Sequence, residues 1–351
     1  MVVRIGVVGA GYWSEECHVP GLKLADEAEV VALSGRRVEN TKSQAARLSI
    51  PKVYTDYRTM LEEEELDAIT ITTPNSTHRE IALAALEKGL SVFCEKPLAL
   101  NAEEAAEMAA AAGKLGLVNH VGFTFRFLQS SIKAKELLAE GFLGHLFHAR
   151  LWAENDSGLI VRPLAWRDDK TLAGTGQLGD MGSHIFDLFR YVTGDEFTAV
   201  YAHSRAVQPK REAGRTEALA TVDDFNSLMF ETERGVSGIA VASRVTRGLG
   251  GWSVEFFGTK GAMRIVYSRG WKDELWYAPH GEEYRLMATE SIMGDFAMLH
   301  MMEAFVAEIA GRKPLTNGIP ATFNDGLRAQ EVIDAVLLSA VKDAKVAVRT
   351  V

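Results

Sequence analysis

"VVRIGVVGAGYWSE", residues 2–15, decides how the first part of this chain folds. Val2 to Val8 is an apolar, β-branched run that suits a buried strand. Gly9 and Gly11 follow at once, and helical sequence comes after them. In a strand–turn–helix unit the first glycine permits a tight bend. The second lets backbone amides approach a pyrophosphate seated on the helix N-terminus. Ser14 stands where the third glycine of that fingerprint falls, a place a small residue can fill. The competing reading is a turn with no ligand. The alternation that follows favours a dinucleotide site, with Tyr12 and Trp13 beside the glycines as further candidates.

Working outward, Val30–Leu33, Asp67–Thr72 and Leu90–Cys94 read as further strands. Helices are expected near Cys17–Ala25 and Asn40–Leu48, and over "HREIALAALEKG" and "NAEEAAEMAAAAGKLG". The last has Asn101 as N-cap and Glu104 placed for a capping box. Strands that are continuously apolar and alternate with helices predict a doubly wound α/β domain around a parallel sheet, which "HVGFTF" (120–125) closes. Beyond it the rhythm changes. Helical "SIKAKELLAEGFLG" leads into the β run "HLFHARLWAEN", and a series of strands from Glu196 to Tyr277 turns at Glu-Arg-Gly as an antiparallel meander does. Two helices, Phe296–Gly311 and Asn324–Lys342, close the chain. The expected division is therefore 1–122 for the dinucleotide-binding domain and 123–351 for an α+β second domain. The run "EEEE" (62–65) reads as a solvated helix face.

Apolar residues make up 47% of the 351 and charged residues 24%, the balance of a folded globular chain with room for two cores. A net charge of −9 argues against nucleic-acid and anionic-membrane partners, which favour a basic face. Cys17 and Cys94 cannot build a disulfide framework, and Cys94 at the end of an apolar strand is expected as a buried thiol. No window is apolar enough to span a bilayer, and the N-terminal run is too short for a signal peptide, so the expected location is the cytoplasm.

Four stretches carry candidate chemistry. The second strand ends in Ser34, Gly35, Arg36 and Arg37, where an NAD site usually has an acid for the ribose hydroxyl. A hydroxyl and two guanidinium groups suit a 2′-phosphate and favour NADP over NAD; the competing reading has both arginines in solvent. "TTPNSTHRE" (72–80) lies at the carboxyl end of the next strand. There Thr73, Asn75 and His78 are candidates, Asn75 or Ser76 can cap the helix, and His78 is not needed for packing. "GLSVFCEKPLAL" (89–100) puts Glu95, Lys96 and Pro97 at the tip of a core strand. In "LAGTGQLGDMGSHIFDLFRYVTG" a Gly-rich loop enters a helix on which Asp180 and His184 are four residues apart, hence on one face. An aspartate so placed orients a histidine and stabilises its protonated form, which suits a general acid–base. A metal pair lacks a third ligand at convincing spacing, and a capping role for Asp180 is the bland alternative.

The Gly-x-Gly turn, "TPNSTH", "CEKPLAL" and "GDMGSHIFDL", in that order, resemble the glucose–fructose oxidoreductase / inositol dehydrogenase / rhizopine-catabolism (Gfo/Idh/MocA) family over nearly the whole chain. "GFLGHLFHARL" and "WRDD" match more loosely. The resemblance implies a Rossmann domain followed by a domain with a large open, mostly antiparallel sheet that binds substrate and joins subunits as a homodimer or homotetramer. It implies an NAD(P)-dependent oxidoreductase for sugars, inositols and related polyols. Lys96, Asp180 and His184 are then the catalytic residues, Glu95 and Lys96 stand at the cofactor, and Trp166 and Arg167 approach it. Lys96, His184, Asn155 and Arg126 are expected at the substrate, with His120 as a further pocket residue. A cis Lys96–Pro97 bond is also implied.

The mechanism implied is hydride transfer at a carbinol carbon while His184, held by Asp180, exchanges the hydroxyl proton and Lys96 bonds the same oxygen. Two other readings compete. An NAD-dependent glycosidase working by transient oxidation is disfavoured by the Glu-Lys-Pro and Asp-x-x-x-His pattern together with the NADP-like strand end. A non-catalytic dinucleotide or sugar sensor is disfavoured because both the lysine and the histidine are kept.

Overall fold

The computed structural model describes residues 2–160, 163–207, 210–213, 216–248, 250–268, 272–287 and 294–349. Contacts divide the chain into two compact units. The first comprises residues 1–99, 103–127 and 295–327, and the second residues 100–102, 128–294 and 328–351. The single cut expected near Gly122 thus meets a chain that returns to its first unit late.

The first unit is built on six parallel strands. They are β1 (Val3–Val8), β2 (Ala28–Ser34), β3 (Lys52–Tyr54), β4 (Ala68–Ile71), β5 (Ser91–Cys94) and β6 (Asn119–Val121). Their order across the sheet is β3-β2-β1-β4-β5-β6, the doubly wound arrangement whose order reverses between β1 and β4. The strands are almost wholly apolar because both faces are covered, and Ile5, Ile69 and Phe93 have no solvent exposure. The covering helices are α1 (Val19–Leu22), α2 (Val38–Arg47), α3 (Tyr57–Glu63), α4 (His78–Glu87) and α5 (Ala102–Leu115).

β3 and α3 are elements the sequence reading did not single out. They also correct its view of "EEEE". Glu64 follows α3 and is buried, its carboxylate accepting from Lys52 Nζ (2.6 Å) and the Tyr54 hydroxyl. The run is therefore not a uniformly solvated face.

In the second unit α6 (Gln129–Ala139), α7 (Lys170–Ala173) and α8 (Ser183–Thr193) accompany a nine-stranded mixed sheet. Its strands are β7 (Leu146–Glu154), β8 (Phe197–Arg205), β11 (Phe225–Thr232), β12 (Ser237–Ser243), β13 (Gly251–Gly258), β14 (Gly261–Ser268), β15 (Lys272–Pro279), β16 (Arg285–Met287) and β17 (Val346–Ala347). β9 (Lys210–Ala213) and β10 (Thr216–Leu219) form a separate hairpin. Residues 208–209, 214–215, 249 and 269–271 of the expected β series lie outside the described residues.

The order is β16-β15-β14-β13-β7-β12-β11-β8-β17, antiparallel except where β12 runs parallel to β7. One face alternates into the core under α6 and α8, with Leu151, Ala240, Val254, Phe256 and Ile265 buried. The other face carries a row in register across seven strands: Tyr201, Met229, Ile239, Arg150, Glu255, Arg264 and Trp276. All seven are at least partly exposed.

The late helices are α9 (Gly294–Ile309) and α10 (Phe323–Lys342), both near their expected positions. Among the described residues no helix is long and apolar enough to cross a membrane. No group of three or more His, Cys, Asp or Glu among them is placed to hold a metal ion.

Candidate active site

The glycine turn fits a dinucleotide on its own geometry. Gly9 has φ +117°, and a Cβ there would lie 2.4 Å from the Thr72 hydroxyl oxygen, so only glycine suits the bend. A Cβ on Gly11 would meet nothing within 4 Å, which leaves room for a ligand against the backbone. Tyr12 beside it is 69% exposed and meets Trp13 edge-on.

Ser14 does more than fill a small space: its hydroxyl accepts from Gly11 N–H (3.1 Å) and donates to Gly11 C=O (2.8 Å). Two residues that the sequence reading missed also hold this turn. Asn40 Nδ2 donates to Ala10 C=O (3.0 Å), and Gln44 Nε2 donates to Gly11 C=O (3.0 Å) and to Ser14 Oγ (2.9 Å). Polar residues on an amphipathic helix read as solvent-facing, so only the tertiary fold reveals them.

At the end of β2, Ser34 is buried and Gly35 packs against Ala10 and Thr41, while Arg36 and Arg37 are exposed. No carboxylate occupies the strand end itself, as the sequence indicates.

The segment after β4 differs from expectation. Neither Asn75 nor Ser76 is the N-cap of α4; Thr77 is, with no side-chain cap, and its hydroxyl lies 2.8 Å from both Thr73 Oγ1 and Pro74 C=O. Asn75 is buried and Thr73 is partly so. His78, expected to be free of packing duty, has no solvent exposure. Its Nδ1 faces Pro97 C=O at 3.1 Å and its Nε2 faces Thr73 C=O at 3.0 Å, so it sits between two strand ends and, as a neutral ring, donates to one of them at a time. Burial pushes its pKa down, which favours the neutral ring despite the two carbonyls.

Glu95 and Lys96 follow β5 at the carboxyl edge, and Lys96–Pro97 is cis. Glu95 Oε1 bonds His18 Nε2 at 2.9 Å, and Oε2 accepts Lys96 N–H at 3.3 Å. Burial pushes the Glu95 carboxyl up, but the His18 hydrogen bond and the Lys96 charge outweigh it, so it titrates below its ordinary value. His18 is fully buried and was not among the expected site residues. Cys94 is a buried free thiol whose pKa burial raises.

His120 and Arg126 are engaged within the first unit. His120 is buried, with Nε2 2.7 Å from Glu308 and its ring against Phe93 and Phe305. Arg126 is also buried and pairs with Asp325 at 2.8 Å.

In the second unit, Asp180 lies on a π-helical turn, Leu178–Gly182, that runs directly into α8 and His184. The wider i→i+5 turn replaces the regular helix expected there, though the pair remains about one turn apart. His184 is 6% exposed. The turn is held from outside by Asp223, whose carboxylate accepts Gly176 N–H (2.6 Å), Leu178 N–H (2.8 Å) and Asn226 Nδ2 (2.6 Å). A Cβ on Gly176 would fall 2.0 Å from Asp223 C=O.

Arg167 is exposed and its guanidinium stacks on Trp166 at 4.4 Å. The next residue, Asp168, is buried beside Arg244, which also bonds Asp224 at 2.6 Å. Asn155 Oδ1 accepts from Ser157 N–H (3.0 Å) and Oγ (2.6 Å), a local turn contact.

Comparison with known proteins gives two family matches. Residues 3–123 match the profile described as "Oxidoreductase family, NAD-binding Rossmann fold", and residues 131–264 match the "GFO/IDH/MocA C-terminal domain". Levoglucosan dehydrogenase of Pseudarthrobacter phenanthrenivorans is 30% identical over 337 residues, 86% of this chain and 84% of that protein. D-glucoside 3-dehydrogenase of Escherichia coli is 28% identical over 349 residues, 96% of this chain and 95% of that one. A solved levoglucosan dehydrogenase in complex with NADH and levoglucosan superposes with a TM-score of 0.90, at 26% identity, covering 100% of both chains.

Proposed function

The chain belongs to the Gfo/Idh/MocA family of oxidoreductases, and on that premise we propose that it moves hydride between a nicotinamide dinucleotide and a hydroxyl or keto carbon of a sugar or cyclic polyol. The bound dinucleotide supplies the hydride acceptor or donor. The observation that carries the reading is Lys96, set at the carboxyl edge of the parallel sheet that bears the glycine turn, between Glu95, which His18 bonds, and Pro97, whose carbonyl faces His78. The relatives named levoglucosan dehydrogenase and D-glucoside 3-dehydrogenase favour a sugar as substrate.

In this reading the Gly9–Trp13 turn, Thr73, Asn75, His78, Glu95 and Lys96 form or brace the dinucleotide site. Trp166 and Arg167 are further residues assigned to the dinucleotide. Lys96 bonds the reacting oxygen and stabilises alkoxide character as hydride leaves the carbon. His184 takes or returns the hydroxyl proton, and Asp180 orients its ring. Asn155 contributes its amide to substrate. Arg126, held by Asp325, we assign to the frame of the first unit.

We favour NADP over NAD because Arg36 and Arg37 follow the strand end where an acid would repel a 2′-phosphate. A panel of sugars, inositols and keto-sugars with each dinucleotide, followed at nicotinamide absorbance, tests both claims. We expect kcat/KM to favour NADP by at least about tenfold and the preference to vanish in R36A/R37A. Preference for NAD in the wild type overturns the cofactor assignment. Lys96→Met and His184→Ala are each expected to reduce kcat by roughly a hundredfold or more without unfolding; near-normal rates in either sink its role.

We place the enzyme in the cytoplasm, where two buried free cysteines stay reduced. The uncovered sheet face supports a homodimer or homotetramer, with Met229, 56% exposed, near its apolar end. Met229→Glu is expected to lower the mass seen by light scattering; an unchanged oligomer, or a monomeric wild type, removes this face from the interface.

A further inference from the structure

We propose that His18 is a positioning residue that fixes Lys96 and links it to the dinucleotide turn. The inference rests on the assignment of Lys96 made above. The residues on either side of Lys96 each lie against a buried histidine from a different element. Glu95 is bonded by His18 from the helix after the glycine turn, and Pro97 C=O faces His78 from α4.

The Glu95 carboxylate is boxed as well as bonded. A Cβ on Gly122 would lie 3.1 Å from both of its oxygens, so that glycine leaves the space the carboxylate fills. Glu95 Oε2 meets the Lys96 backbone N–H at 3.3 Å, and the side chain and the lysine backbone therefore move together.

His18 is committed to this one task. The ring is fully buried and packs edge-on against Phe93, with centroids 5.1 Å apart. Its Nδ1 is buried with no hydrogen-bond partner among the described residues, and Nε2 bonds Glu95. Because its partner is a carboxylate oxygen, Nε2 is the donor in this hydrogen bond. A buried polar pair of this kind is a poor source of stability, since well-packed apolar residues of similar size do as well or better. Its use here points to orientation.

His18 also ends the π-helical turn Ser14–His18, whose first residue holds both backbone polar groups of Gly11. A continuous path, Gly11–Ser14–His18–Glu95–Lys96, thus runs from the cofactor turn to the lysine.

Three variants test the proposal. His18→Gln keeps an amide N–H near the place of Nε2. His18→Leu removes it, and His18→Asn keeps polarity but is one carbon too short. We expect Leu and Asn to lower kcat about tenfold or more, with dinucleotide Kd within about twofold and Tm nearly unchanged, and Gln to restore kcat to within about threefold.

Amide hydrogen exchange gives a readout independent of turnover. Residues 94–98 should exchange roughly tenfold faster in the Leu and Asn variants and as wild type in Gln, while other segments stay protected. Wild-type kcat and exchange in both Leu and Asn overturn the proposal. So does a parallel fall in Tm, cofactor binding and kcat that Gln does not relieve. If wild type turns over no sugar or polyol, the functional reading fails while the exchange pattern still decides the role of His18.

Discussion

A methyl group on Gly9 would sit 2.4 Å from the Thr72 hydroxyl oxygen, on a backbone with φ +117° that side chains rarely adopt. Gly9→Ala therefore meets both a clash and a conformational cost. The expected loss is about 1–3 kcal/mol of stability, read as a lower Tm, with weaker dinucleotide binding in a fluorescence titration. Glu95 yields a pH prediction. Its folded-state pKa is depressed, so its pairing contributes stability that is present above the unfolded value of about 4.3 and is lost as pH falls through the folded value. Tm of the wild type should drop more steeply than that of Glu95→Gln as the buffer is taken from pH 5 to pH 3. Gly9, Gly11 and Lys96 were legible in the sequence because local chemistry singles them out. His18 was not, because its partner lies 77 residues away and nothing near it in sequence distinguishes it from a core histidine.

At the scale of elements, α1 and α8 each open on a π-helical turn, Ser14–His18 and Leu178–Gly182. Apolar periodicity places the helices but does not register one extra residue within a turn, so the regular helical spacing expected for Asp180 and His184 gives way to a wider turn. The second turn depends on Asp223, which accepts two backbone N–H groups and the Asn226 amide. Asp223→Ala leaves these donors without their acceptor. We expect a loss of about 3 kcal/mol in thermal or denaturant unfolding, with a fall in kcat larger than the unfolded fraction explains. The alternation of strand and helix made the parallel sheet legible. The parallel pairing of β12 with β7 inside a sheet that reads as a meander was not, since pairing partners leave no mark on either strand's own pattern.

At the scale of the molecule, the first unit is not a contiguous stretch of chain. Residues 295–327 supply Phe305 against Phe93 (5.7 Å), Arg312 to Glu27 (2.8 Å), Asp325 to Arg126 (2.8 Å) and Ala321 C=O to Val121 N–H (2.8 Å). The sequence of α9 could not announce this, because a helix apolar on most sides fits either core. A fragment ending at Phe127 keeps all six strands of the first unit's sheet and the glycine turn yet lacks those partners. It is expected to show no cooperative melt by circular dichroism; a sharp transition near that of the full chain would contradict the assignment of α9. The same arrangement imposes a delay on synthesis. After Phe127 is added to the chain, about two hundred more residues must be made before Leu327 exists, roughly 10–40 s at ordinary elongation rates. For that interval the nascent sheet carries an uncovered apolar surface, and it is the period in which a chaperone has most to protect.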